Sequence, residues 1–226
     1  MNSLNQDLNL LIRFALNHDL LKESDRTWAA NHLIQLFGQS SFEVDEGSEP
    51  LPETAAPILE RLLDKAVGLG LIEDGQSRRD LFDTLIMDCL TPRPAEVIRR
   101  FRELESNPRA ATDYFYKLNV ASNYVRKSRT DKNISWVTAT DYGDLNITIN
   151  VSKPEKDPKE IAAAKSAPST GYPACLLCKE NEGFFGNLNH PARQNLRLVP
   201  LELGGEKWYL QYSPLSLTAI GRCRRR

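Results

Sequence analysis

The sequence is short of the residues that carry most of the chemistry known in proteins. It has three histidines (His18, His32 and His190), two methionines and four cysteines in 226 residues. No two histidines lie near one another, and none lies near a carboxylate in a pattern that would build a charge-relay triad. There is no G-x-S-x-G turn, no Gly-rich loop followed by Lys-Ser or Lys-Thr, and no defensible paired-carboxylate motif. No apolar run approaches the roughly 18 residues of a membrane span. The N-terminus lacks the basic region and apolar block of a secretory signal. Charge of one sign is also lacking: 29 basic against 30 acidic side chains leave a formal net charge of −1. That balance gives no reason to expect bulk nucleic acid or an anionic membrane as partner. With few cysteines and no secretory context, reduced thiols and a cytoplasmic location are the expectation.

What is present divides into two compositions. Up to about residue 128 the apolar residues recur with a helical period: Leu4, Leu8, Leu11, Ile12 and Ala15, then Ile58, Leu59, Leu62, Leu63, Ala66 and Val67. Leu81, Leu85, Ile86 and Cys89 repeat the pattern, as do Val97, Ile98, Phe101 and Leu104. Ser24, Thr54, Ser77 and Asn107 are the expected N-caps, with Pro108 suited to the first helical position. The spacing predicts six helices, with a polar connector from Gln39 to Pro52.

After Asn133 the period becomes two. Leu145, Ile147, Ile149 and Val151 alternate with Asn146, Thr148 and Asn150, which predicts a half-buried strand paired with residues 134–138. Prolines in Ser152–Pro158 exclude a central strand, and Asp157 with Pro158 is placed to cap a short helix over Glu160–Lys165. A second hairpin is expected from Asn195 to Leu203 and Glu206 to Tyr212, turning at Gly204–Gly205. The predicted class is α+β: a helical N-terminal region (1–128), the start of an antiparallel domain (129–214), and an aberrant basic tail (215–226) of the kind a shifted reading frame yields.

Four constellations stand out. Cys175 and Cys178 could grip one soft metal as half of a zinc knuckle, or be two buried thiols flanking Leu176 and Leu177. Arg126, Arg129 and Asn133 gather cations and amides ahead of a strand, either as an anion site or as a solvated helix end. Lys153 and Lys156 sit in a rigid loop before a helix start, a phosphate contact or a solvated connection. Asn181, Arg193 and Asn195 belong to an amide- and cation-rich stretch that suits hydrogen bonding to a base, ribose or sugar, or simply a turn. His190 in the same stretch fits a ligand or a turn. These residues do not by themselves define a reaction.

Taken in order, these segments resemble one family. Asn123-Tyr-Val-Arg-Lys-Ser-Arg129 with Asn133 and Trp136, then the run Ile147 to Ala164, are similar to the second class of galactose-1-phosphate uridylyltransferases. So are Tyr172-Pro-Ala-Cys-Leu-Leu-Cys-Lys-Glu-Asn-Glu-Gly183, His190-Pro-Ala-Arg-Gln-Asn195 and Trp208-Tyr-Leu-Gln-Tyr-Ser-Pro214. The resemblance implies a histidine-triad-like transferase fold and transfer of a uridylyl group from UDP-glucose to galactose 1-phosphate through a uridylyl-histidine. It also implies substrate contacts at Lys153, Lys156, Arg126, Arg129, Asn133, Asn181, Arg193 and Asn195. Zinc at Cys175 and Cys178 is a candidate cofactor, and a homodimer is a candidate state of the complete protein. The family's Glu-His-Cys and its later His-containing nucleophile segment have no counterpart here. A truncated chain, inactive alone, is therefore the expectation. The alternative is a non-catalytic nucleotide- or metal-binding module.

Overall fold

A computed structural model describes residues 3–152, 158–166, 171–187 and 190–215. Six helices build the first half: α1 (Ser3–Asn17), α2 (Arg26–Leu36), α3 (Ala56–Gly68), α4 (Gln76–Asp88), α5 (Pro94–Glu103) and α6 (Pro108–Ala121). Short helices α7 (Lys127–Thr130) and α8 (Pro158–Ser166) follow. The strands are β1 (Ile134–Thr140), β2 (Gly143–Ile149), β3 (Val199–Leu203) and β4 (Glu206–Leu210). They make two separate antiparallel hairpins, β1 with β2 and β3 with β4.

The apolar stripes of α1, α3, α4, α5 and α6 converge on one core containing Leu11, Phe14, Leu33, Ile58, Leu62, Ile86, Val97 and Phe115. Edge-to-face pairs Phe37–Phe82 and Phe101–Phe115 lock the helices at two points. The connector after α2 lies along α1. Asn5 and Asn9 each donate to the Glu43 carbonyl at 2.8 Å, and each accepts a backbone N–H, from Glu43 and Asp45. A polar connector without secondary structure thus has its backbone satisfied by two asparagines.

Asn107 caps α6 as expected, accepting from the Ala110 amide, with Pro108 in its first turn. The other three capping expectations are corrected: Asp25, Ala55 and Gly75 precede α2, α3 and α4, and none makes a side-chain cap bond. Ser24 instead falls inside a short 3₁₀ turn (Glu23–Asp25) and hydrogen-bonds Asp25.

The β3–β4 hairpin lies on the helices. Val199 is part of the main core, and Leu201, Leu210 and Tyr212 pack against it. Tyr212 lies 5.6 Å from Phe115, ring centre to ring centre. The β1–β2 hairpin does not share this. Its register pairs Ile134 with Ile149 and Trp136 with Ile147, as alternation requires, but β1 is exposed throughout and β2 at all but Ile147. The half-buried strand is therefore corrected to an exposed one, because no element among the described residues covers its apolar side.

Candidate functional site

The end of α6 is the hub on which the sequence-predicted segments meet. Asn123 takes a left-handed conformation (φ 54°), which asparagine tolerates better than most residues. The chain turns there, and the Val125 amide reaches back to the Asn119 carbonyl at 2.9 Å.

Two aspartates on α4, three residues apart, receive the polar groups of this turn. Asn123 Nδ2 donates to both oxygens of Asp83, at 3.2 and 3.0 Å, and Arg126 Nη1 donates to Asp83 Oδ2 at 2.5 Å. Arg129 forks onto Asp80 at 3.0 and 2.6 Å, with Arg126 3.5 Å from the same carboxylate. Burial pushes the Asp80 carboxyl up, but the Arg129 hydrogen bonds and the two guanidinium charges outweigh it, so its pKa lies below the usual value. For Arg126, burial opposes the charge, and Asp83 with Asp80 outweighs it, so its pKa is raised. Arg126 and Arg129 therefore hold carboxylates of the helical region.

The segment from Arg193 to Leu198 wraps the other side of the turn. Asn195 Nδ2 donates to the Ser122 carbonyl at 2.9 Å. Arg193 donates to the Tyr124 hydroxyl, and its guanidinium lies 5.8 Å from the centre of that ring. Burial pushes the Tyr124 phenol up, against the pull of the Arg193 cation. Arg197 is fully enclosed and makes five bonds, to the carbonyls of Pro92, Thr91, Gln194 and Leu196 and to Asp88. Tyr124, Val125, Leu196 and Leu198 form a small apolar cluster beneath this network. Glu182 accepts from the Leu198 amide at 2.8 Å, and burial raises its pKa.

The cysteine turn hangs from the same loop. Asn181 Nδ2 donates to the carbonyls of both Cys175 and Cys178, at 2.7 and 2.9 Å, and so fixes the turn between them. The sulfurs are 3.1 Å apart, and the Leu177 amide donates to Cys175 Sγ at 3.4 Å. Two sulfurs on one tetrahedral zinc would sit about 3.8 Å apart, given Zn–S bonds near 2.3 Å. The turn must open slightly to take the ion. Among the described residues no three His, Cys, Asp or Glu side chains converge. Cys89 differs from both: burial, then the nearby Asp88 charge, pushes its thiol up to about 12, and it packs as an inert core group.

Beyond the turn the loop folds back on itself. The Arg193 amide donates to the Phe184 carbonyl at 2.7 Å, and the Gly183 amide to the Arg193 carbonyl at 3.2 Å. Gly186 (φ +88°) runs so close to Ala192 that an added Cβ would meet its backbone nitrogen at 2.7 Å. Only glycine fits.

Asn133 Oδ1 accepts from the amides of Val151 (3.0 Å) and Ser152 (3.1 Å), closing the base of the first hairpin. Lys153 and Lys156, one residue and four residues further on, lie outside the described residues. Among the described residues, Asn181 Oδ1, His190 Nδ1, Arg193 Nε, Asn195 Oδ1 and Gln211 Nε2 are buried without a hydrogen-bond partner. Each such atom costs about 1–3 kcal/mol if left dry. Among the described residues Arg193 has no carboxylate within 4 Å, unlike Arg126, Arg129 and Arg197.

Sequence reasoning did not single out Asp80 or Asp83. The one available signal was two acids at i and i+3 on α4, with Asp83 between Phe82 and Ile86, which both point into the core.

Comparison with known proteins completes the description. The family model described as galactose-1-phosphate uridyl transferase, N-terminal domain, matches residues 19–214. A galactose-1-phosphate uridylyltransferase of Clostridium acetobutylicum is 57% identical over 212 residues, covering 93% of this chain and 42% of that protein. One from Caldanaerobacter subterraneus is 54% identical, covering 90% and 40%, and one from Butyrivibrio fibrisolvens 45% identical, covering 93% and 54%. The chain thus spans about two fifths to a little over half of the length of these relatives. No solved structure gives a significant match.

Proposed function

The chain belongs to the galactose-1-phosphate uridylyltransferase family, and we propose that the reaction it serves moves a uridylyl group from UDP-glucose to galactose 1-phosphate. In that chemistry a neutral histidine attacks the α-phosphorus of UDP-glucose, and glucose 1-phosphate leaves. Galactose 1-phosphate then attacks the uridylyl-histidine, giving UDP-galactose and restoring the imidazole. Covalent catalysis of this kind splits one difficult transfer into two in-line steps.

The residues described here supply binding, not the nucleophile. His18 stacks on Phe14 and His32 on Trp28, with His32 Nδ1 against the Trp28 carbonyl, while His190 lies edge-on to Phe184. His18 and His32 are placed for packing, which supports the reading that these 226 residues alone do not turn over. Arg193 carries the binding proposal: it is a half-buried cation held by a phenol, and among the described residues its Nε and the Oδ1 atoms of Asn181 and Asn195 have no hydrogen-bond partner. Lys153, Lys156, Arg126, Arg129 and Asn133 belong to the same proposal, although Arg126 and Arg129 would act through the loop they pin. Cys175 and Cys178 would hold zinc as two of four ligands and so tie that loop to a further part of the fold. We infer a cytoplasmic location, a compartment that reduced thiols would suit.

Calorimetry with UDP-glucose, run beside a uridylyl-transfer assay, tests both halves of the proposal. Binding without turnover is expected, with affinity reduced in Arg193→Ala. Turnover by the isolated chain overturns the inactivity. Absence of binding overturns the site and leaves the family untouched. Metal analysis of the purified protein, with Cys175→Ser as control, tests the zinc.

A further inference from the structure

The β1–β2 hairpin is amphipathic, and among the described residues no element covers it. Its register sets Ile134 against Ile149, Trp136 against Ile147 and Thr138 against Leu145, so these six side chains share one face. Ser135, Val137, Ala139, Asp144, Asn146 and Thr148 take the other. The first face bears no charge. Ile134, Trp136, Leu145 and Ile149 are 56%, 44%, 53% and 48% exposed. A two-stranded ribbon gains little from its own backbone bonds, and a contiguous apolar patch on a water-facing surface marks a contact site.

The path of the chain says what covers it. After β4 the backbone returns to the base of this hairpin: the Arg126 amide donates to the Pro214 carbonyl at 3.0 Å, and Asn150 and Ser152 both donate to the Leu215 carbonyl, at 3.2 and 3.1 Å. Whatever follows position 215 in a member of the family therefore starts at the base of this hairpin. In the Clostridium acetobutylicum relative the region matched here is 42% of the protein. We propose that this face, centred on Trp136, Leu145 and Ile147, is the docking surface for the part of the uridylyltransferase fold that follows the matched region in those relatives. The covering element must present an apolar side, because the face offers no charge to pair. The inference goes beyond the reaction proposed above and would stand if that reading of the binding residues failed.

The test compares the 226-residue chain with a chimera joining its residues 1–214 to the remainder of the Clostridium acetobutylicum relative. Leu145→Cys, on the apolar face, and Val137→Cys, on the opposite one, are each labelled with maleimide and read by peptide mass spectrometry. Leu145→Cys is expected to react about tenfold more slowly in the chimera than in the chain alone, the mark of a site that opens only transiently. Val137→Cys should react alike in both. Equal reactivity of Leu145→Cys in the two proteins overturns the proposal. So does concentration-dependent protection in the chain alone, which would assign the face to a second copy. If the chimera is insoluble, co-expression of the chain with a tagged C-terminal portion of the same relative replaces it. Co-purification lost in Leu145→Lys and kept in Val137→Lys supports docking. Co-purification indifferent to Leu145→Lys, or none at all, overturns it.

Discussion

The β3–β4 hairpin rests on helices, while β1–β2, written with the same alternation, stands away from them. The docked hairpin is reached through a segment whose side chains are committed. Leu196, Leu198 and Val199 are buried, Arg197 makes three bonds to the α4 end and the loop after it, and Asn195 holds Ser122. The exposed hairpin is joined to the rest mainly at its base, by Asn133, Asn150 and Ser152. Alternation therefore specifies that a face exists, and the flanking segments decide whether this chain covers it. Buried polar pins also fix the docked side in one arrangement, a role that apolar contact alone fills poorly.

The comparison breaks most completely at Asp83. Asp83→Ala leaves Arg126 charged and enclosed and removes both acceptors of the Asn123 amide, so a loss of about 3–5 kcal/mol is expected in urea unfolding. Asp131→Ala, which removes an exposed partner of Lys127, should cost less than about 1 kcal/mol. Equal effects would mean that Asp83 pins nothing.

A matched pair of truncations sharpens the contrast between the hairpins themselves. Leu196→Ala empties a fully buried position on the docked side and should cost about 2–5 kcal/mol. Leu145→Ala on the exposed face should change stability by no more than about 0.5 kcal/mol. Thermal or chemical denaturation of both variants decides it, and a Leu145→Ala cost near that of Leu196→Ala would show the face already covered.

Much of this was legible in the residues. The helix faces at Leu4–Ala15 and Ile58–Val67, the Asn107–Pro108 start of α6, and both hairpin registers follow from period and turn chemistry, which are local. The gathering of Asn123, Arg126 and Arg129 was not, because it depends on Asp80 and Asp83, some forty residues earlier on a helix where acids ordinarily face water, and Arg193 and Asn195 meet the same turn from some seventy residues later. The exposure of Ile134, Trp136 and Leu145 was equally hidden. A strand's alternation is the same whether its cover is present or not. The Ser24, Thr54 and Ser77 caps failed because a hydroxyl near a helix start is common, and the backbone that would aim it is set by the preceding turn.

Acid should weaken the docked side at Asp80. Its pKa is lowered in the folded state, so its contribution is fully present above the unfolded-state value of about 3.9 and is lost as pH falls through the depressed folded value. Denaturation midpoints are expected to drop on acidification below about pH 4, and Asp80→Asn should flatten the part of that drop due to this group. An unchanged slope would place the acid sensitivity elsewhere.

A modest and local effect is expected at the base of the exposed hairpin, where Asn133 Oδ1 receives the Val151 and Ser152 amides. Asn133→Ala should cost about 1 kcal/mol, the net worth of such hydrogen bonds. Amide exchange should quicken at Val151 and Ser152 and stay unchanged along β3–β4. Asn133→Asp keeps an acceptor in place and should restore the protection. It also replaces the Nδ2 donor with an oxygen, so it separates the two roles the residue could have. If Asn133 only closes the hairpin, Asn133→Asp binds UDP-glucose like the parent chain. If it also contacts substrate through Nδ2, affinity falls while the exchange protection remains.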